Sequence, residues 1–115
     1  MIHSYGPFAL LFVLIAWHAI ADFALQNDFV AKAKNPETPV PGISWPAVLL
    51  AHSLIHAFGV FLFTDMLTLA VIETASHFLI DYEKCRRRIT FIQDQLLHVA
   101  CKVLYVVMYV LYHAL

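Results

Sequence analysis

Four long apolar stretches fill nearly the whole chain and are separated by shorter polar breaks. They run from about Pro7 to Leu25, Pro46 to Thr64, Met66 to Tyr82 and Phe91 to Leu115. Each is close to the roughly 17–25 residues that a helix needs to cross the hydrocarbon core of a bilayer. Pro7 and Pro46 stand at helix starts, where a missing N–H costs nothing. A tight turn at Asp65 would make the second and third stretches a helical hairpin. Between the first two lies Gln26 to Trp45, where Asn35, Pro36, Pro39, Pro41 and Gly42 predict a loop. The pattern predicts a single membrane domain over residues 1–115: an all-α, four-helix antiparallel transmembrane bundle.

The basic residues orient it. Lys32 and Lys34 follow the first stretch, and Lys84, Arg86, Arg87 and Arg88 follow the third. Both loops are therefore expected in the cytoplasm, with the N-terminus, the Asp65 turn and the C-terminus outside, since those segments lack Lys and Arg. Trp45 at one edge and Tyr109 and Tyr112 at the other suit the two interfaces. The first stretch lacks a basic leader and ends in His18, Asp22 and Gln26 without a small-residue cleavage site, so it is not expected to be a cleaved signal peptide.

Composition agrees: 62% of the 115 residues are hydrophobic and 13% charged, against roughly 45–50% and about 25% in an ordinary soluble domain. With a formal charge of −1, an ordinary soluble fold and a partner needing a strongly basic surface are excluded. The Lys84–Arg88 cluster, directly beside a span, reads as an orientation signal and a contact for anionic lipid head groups rather than for nucleic acid. Cys85 and Cys101 form no CxxC pair and read as reduced packing residues. The expected partners are the lipid bilayer and its anionic head groups, with a homodimer compatible with so narrow a bundle.

Ionisable residues inside the spans change the picture most. Each stretch carries at least one i, i+4 pair: His18 and Asp22, His52 and His56, His77 and Asp81, Asp94 and His98. Residues four apart project from one helix face. Counting inward at 1.5 Å per residue, His18, His52, His77 and His98 all fall roughly 8–11 Å inside the cytoplasmic boundary. The outer half carries almost no ionisable side chains, Lys102 being nearest the middle. An Asp at mid-helix costs roughly 2.5–3.5 kcal/mol of insertion free energy, so such residues face inward and mark a site. Helix-to-helix hydrogen bonding is one explanation and a bound divalent cation the other. The eight residues are the expected metal ligands, enough for a dinuclear centre. Imidazole and carboxylate suit zinc first, with iron or manganese next, and no thiolate set accompanies them. Glu73, one turn from His77, is the expected catalytic base, with a protonated or Lys102-paired core residue as the alternative. Gln26 and Gln95 are expected to hydrogen-bond the ligands, and Lys84, Arg86, Arg87 and Arg88 to hold head groups. His3 and His113 stand apart.

Taken in order, His18-Ala-Ile-Ala-Asp22-Phe23-Ala-Leu25-Gln26, His52-xxx-His56, His77-Phe-Leu-Ile-Asp81-Tyr-Glu-Lys84 and Asp94-Gln95-Leu-Leu-His98 resemble the family catalogued as domain of unknown function 3307. The resemblance runs from about Trp17 to Val99 and implies a small membrane protein of bacteria or their phages in which these positions matter. More distantly, the pattern is similar to membrane proteins described as metal-dependent hydrolases. Three functions are open: a metal-dependent hydrolase, a carrier of metal ions or protons, and a non-enzymatic membrane module with a structural metal. No GxSxG, P-loop or HExxH motif points elsewhere.

Overall fold

The computed structural model describes residues 5–115, so His3 lies outside the described part. Among the described residues the chain is all-α and has no strand: α1 (Pro7–Ala19), α2 (Asp28–Ala33), α3 (Trp45–Thr64), α4 (Leu67–Cys85) and α5 (Phe91–Ala114). A π-helical turn, Ile20–Ala24, continues α1, with the Leu25 N–H donating to the Ile20 carbonyl at 2.9 Å.

Local chemistry fixes the ends. Proline occupies the first turn of α1 and of α3. Thr90 and Gln93 form a reciprocal capping box at the start of α5, each side chain accepting from the other's backbone N–H, which satisfies donors a helix start leaves free. Asn27 accepts from the Val30 N–H at 2.9 Å and starts α2, a six-residue helix inside the segment expected to be loop. The breakers of that segment begin only at Asn35, which leaves room for one capped turn and a half before them. Asp65 ends α3 in the left-handed region at φ 57°, ψ 24°, and the Met66 N–H donates to Thr64 Oγ1 at 3.2 Å, so the chain reverses at once into α4.

Three helical segments, not the expected four, are long and apolar enough to span a membrane: Pro7–Ala24, Trp45–Thr64 and Phe91–Ala114. α4 has the length, at 19 residues, but Glu73, Asp81, Glu83 and Lys84 lower its hydropathy.

α3 packs on α4, α1 on α3 and α5, and α4 on α5. Gly59 permits the α1–α3 approach: a Cβ there would lie 2.0 Å from Trp17 Cδ1, while the Trp17 indole N–H donates to the Ile55 carbonyl at 3.0 Å. Tyr5 meets Phe63 ring to edge, and the Asp65 turn lines a pocket with Tyr112 and His113, so these segments share one end. At the other end a Lys34–Asp81 ion pair ties the first basic loop to α4, and an Arg86–Glu37 pair ties the two basic loops to each other. Leu10, Leu14, Val60, Leu69, Tyr105, Val106 and Tyr109 form the apolar core. Outside, Phe8, Phe12, Leu67, Val71, Leu79, Leu96 and Leu111 are each at least 60% exposed. Apolar surface so extensive marks contact with a membrane or partner, and here it surrounds an interior holding histidines and carboxylates.

Candidate metal centre

Next to the apolar core, toward the basic loops, four helices converge on five buried imidazoles. His18 comes from α1, His52 and His56 from α3, His77 from α4 and His98 from α5. The rings of His56 and His77 stack at 3.7 Å and those of His77 and His98 at 4.3 Å. His18 lies 5.0 Å from His56 and 4.9 Å from His98, and His52 lies 4.8 Å from His56, centroid to centroid.

Asp22 stands among them on the π turn, a helix defect that recurs at functional sites. Its two carboxylate oxygens face different histidines. Oδ1 is 2.9 Å from His56 Nε2 and 3.3 Å from His52 Nε2, whereas Oδ2 is 3.2 Å from His18 Nε2 and accepts from the Gln95 amide at 3.1 Å. Two ligand sets follow: Asp22, His52, His56 and His77, and His18, His77 and His98, each with one ligand atom per residue within 4.8 Å of the others.

A test of fit comes from the buried nitrogens that lack a hydrogen bond. His18 Nδ1, His56 Nδ1, His77 Nε2 and His98 Nδ1 have none, and His52 Nε2 and His77 Nδ1 have only a carboxylate oxygen nearby, at 3.3 and 3.5 Å. An unsatisfied buried polar atom costs about 1–3 kcal/mol, and so many in one cluster need a common partner. A divalent cation is such a partner, and nitrogen with carboxylate oxygen is a donor set that zinc, iron and manganese accept. These buried His and Asp groups could hold a metal ion.

The remaining expected site residues lie around this core. Asp81 is buried but falls outside both ligand sets. Lys34 holds its Oδ2 at 2.6 Å and Lys84 its Oδ1 at 3.3 Å, while His52 Nε2 and His77 Nε2 stand 3.7 and 3.9 Å from Oδ2. Asp94 is likewise outside them: its Oδ2 accepts from Gln95, while Oδ1 lies 3.3 Å from His98 Nε2 and has no hydrogen bond. Gln95 touches Asp22, Asp94 and His18, as a residue orienting ligands should. Gln26 has its carbonyl oxygen buried and unbonded.

Glu73 has both oxygens engaged, Oε2 by the Lys102 ammonium and Oε1 by the Tyr105 hydroxyl, each at 2.8 Å, and His77 Nδ1 approaches Oε2 at 3.5 Å. The alternative weighed for it, pairing with Lys102, is what the geometry contains. Of the four cationic residues expected at head groups, Lys84 turns inward to Asp81. Arg86 pairs with Glu37 at 2.6 Å and donates to the Tyr82 hydroxyl at 2.9 Å, contacts with Tyr82 and then Glu37 that raise its already high pKa. Arg88 pairs with Glu83 at 3.0 Å. Arg87 is exposed and, among the described residues, forms no ion pair.

Sequence reasoning missed two participants. Lys34 served only as an orientation signal, yet it is 2% exposed. Tyr105, buried beside Ser76 at 3.2 Å, carried no signal beyond its place three residues past Lys102, on the same helix face.

The fold and centre together define a class: an all-α protein with apolar helices able to span a membrane and buried His/Asp groups able to hold a metal. The chain belongs to the family described as protein of unknown function (DUF3307), whose family model matches residues 10–115. No curated protein and no solved structure matches it.

Proposed function

We propose that this is a metal-dependent hydrolase of a bacterial cytoplasmic membrane, a four-helix antiparallel bundle with both termini outside and its centre in the cytoplasmic half. The observation that carries the metal reading is the Asp22 carboxylate, one oxygen turned to His52 and His56 and the other to His18. A carboxylate so divided suits a dinuclear centre, zinc being the preferred ion. The set of Asp22, His52, His56 and His77 is complete for a four-coordinate ion. A neutral imidazole gives one nitrogen to one ion, so with His77 in that set a second ion would be held by His18, His98 and Asp22 Oδ2, which leaves a position open, as hydrolytic sites do.

When bound, the metal would acidify a water toward neutrality. The chain's residues supply the rest. Asp94, expected from the sequence as a ligand, has its Oδ1 unbonded 3.3 Å from His98 Nε2 and would serve instead of Glu73 as the carboxylate that accepts a proton at the centre. Glu73, neutralised by Lys102, stands 3.5 Å from His77 Nδ1, where it would orient the imidazole and leave Nε2 as the ligating nitrogen. Gln95 fixes Asp22 and Asp94 in register. A carrier needs a route on both sides of the site; here Leu10, Leu14, Val60 and Leu69 pack the far side, which favours one-sided chemistry over transport.

Elemental analysis of detergent-purified, zinc-loaded protein tests this: up to two ions per chain are expected, one fewer in His56→Ala and in His18→Ala. Asp94→Asn should keep the metal and lose about 10²-fold or more of p-nitrophenyl ester turnover. A loaded protein that cleaves no ester reduces the metal to a structural one; a protein that takes up no metal removes the centre.

A further inference from the structure

We propose that Lys34 and Lys84 form an oxyanion subsite against this centre that receives a phosphate group of the substrate; the inference rests on the metal-centre reading and names the substrate class it implies. Lys34 ends α2 and places its ammonium 2.6 Å from Asp81 Oδ2, and Lys84, three residues beyond Asp81 on α4, stands 3.3 Å from Oδ1. Oδ2 in turn lies 3.7 Å from His52 Nε2 and 3.9 Å from His77 Nε2. The two ammonium groups therefore flank one carboxylate that touches the imidazole cluster.

An ammonium carries three N–H donors. Among the described residues Lys34 donates one hydrogen bond, to Asp81, although it is 2% exposed. Its other two donors are shielded from water and need acceptors. The Lys84 side chain is 27% exposed, which leaves an approach from the side of the basic loops.

Charge balance points the same way. The buried cluster holds four carboxylates, with Asp81 paired to Lys34 and Lys84, Glu73 to Lys102, and Asp22 and Asp94 set beside histidines. With neutral histidines the four carboxylates exceed the three ammonium groups by one charge. A single divalent ion then makes the site net positive by one, and a pair makes it net positive by three. Excess positive charge surrounded by apolar helices is costly unless an anion accompanies it. A carboxylate offers one charge and two oxygens. A phosphate group offers up to two charges and enough oxygens to meet both lysines and the centre at once, and lysine binds phosphate as a point charge.

Isothermal titration of zinc-loaded protein in lipid-free detergent with inorganic phosphate, against acetate as control, reads the subsite directly. Phosphate should bind at least tenfold tighter than acetate. Lys34→Met and Lys84→Met should each weaken phosphate at least tenfold with metal content unchanged, and Lys34→Arg should recover part of the loss. Lys84 is partly exposed, so its variant reports even where Lys34→Met fails to fold. Competition by glycerol phosphate and by short-chain phosphatidate names the source, a free ester or a lipid head group, by which displaces at lower concentration. Phosphate affinity unchanged in both methionine variants, or equal affinity for acetate, overturns the subsite. Absence of zinc from the wild-type protein overturns the centre instead, and metal content measured on the same samples separates the two failures.

Discussion

Removing the Lys102 ammonium strands the Glu73 carboxylate at 0% exposure with only Tyr105 as a full hydrogen-bond donor. Breaking one side of a buried ion pair costs about 3–5 kcal/mol, whereas replacing both sides by neutral groups is often close to neutral. Lys102→Met should accordingly lower stability by about that amount, and adding Glu73→Gln should return most of it, because the amide oxygen still accepts from Tyr105. Thermal unfolding in detergent with a chelator present measures both without any metal contribution, and a double variant no more stable than Lys102→Met removes the pair from the account. The histidines were legible because i, i+4 spacing is a property of one helix and needs no partner to be seen. Lys34 was not: its burial depends on Asp81, 47 positions away, and orientation rules weigh a lysine by the loop it sits in rather than by what its nitrogen meets. The engagement of Glu73 was half legible, since Lys102 lies at the same level but Tyr105 looks like an apolar packing residue.

Gly59 and Trp17 show how one contact sets the distance between two elements. The indole occupies the space that a Cβ on α3 would need, and its N–H also bonds the Ile55 carbonyl. Gly59→Ala must displace the Trp17 indole from its bond to Ile55 or push α1 off α3 and disturb the His18–His56 approach; overpacking of this kind costs about 1–3 kcal/mol. Adding Trp17→Leu should restore stability by vacating that space, and equal melting temperatures for the wild type and Gly59→Ala would show that the helices separate freely. Helix positions followed from the apolar runs, but their character did not always. α4 has a low mean hydropathy because Glu83 and Lys84 near its end add to Glu73, His77 and Asp81, yet the last three point inward while Leu67, Val71 and Leu79 stay exposed. α2 is six residues long, too short for periodicity to reveal, and announced itself only through Asn27. The π turn, which positions Asp22, leaves no residue signature at all.

Whether α4 crosses the membrane decides on which side the centre opens. With three crossings, α4 would remain on the side of the Asp65 turn, and the Arg86–Arg88 loop would share that side. Its exposed face would then hold Leu67, Val71 and Leu79 in water beside a helix that spans lipid. With four crossings those residues meet acyl chains, and the ionisable groups of α4 are already paired within the protein: Glu73 with Lys102, Asp81 with Lys34 and Lys84. Pairing removes most of the insertion cost that unpaired charges would impose. The Arg86–Glu37 pair adds an independent constraint, because it ties the loop after α4 to the loop after α2. In a background with Cys85 and Cys101 replaced by serine, a membrane-impermeant maleimide applied to intact spheroplasts should therefore label Asp65→Cys and leave Arg87→Cys untouched until the membrane is opened. Labelling of both from outside would mean that α4 does not cross, which would set its basic loop against the positive-inside rule and move the mouth of the centre to the opposite face.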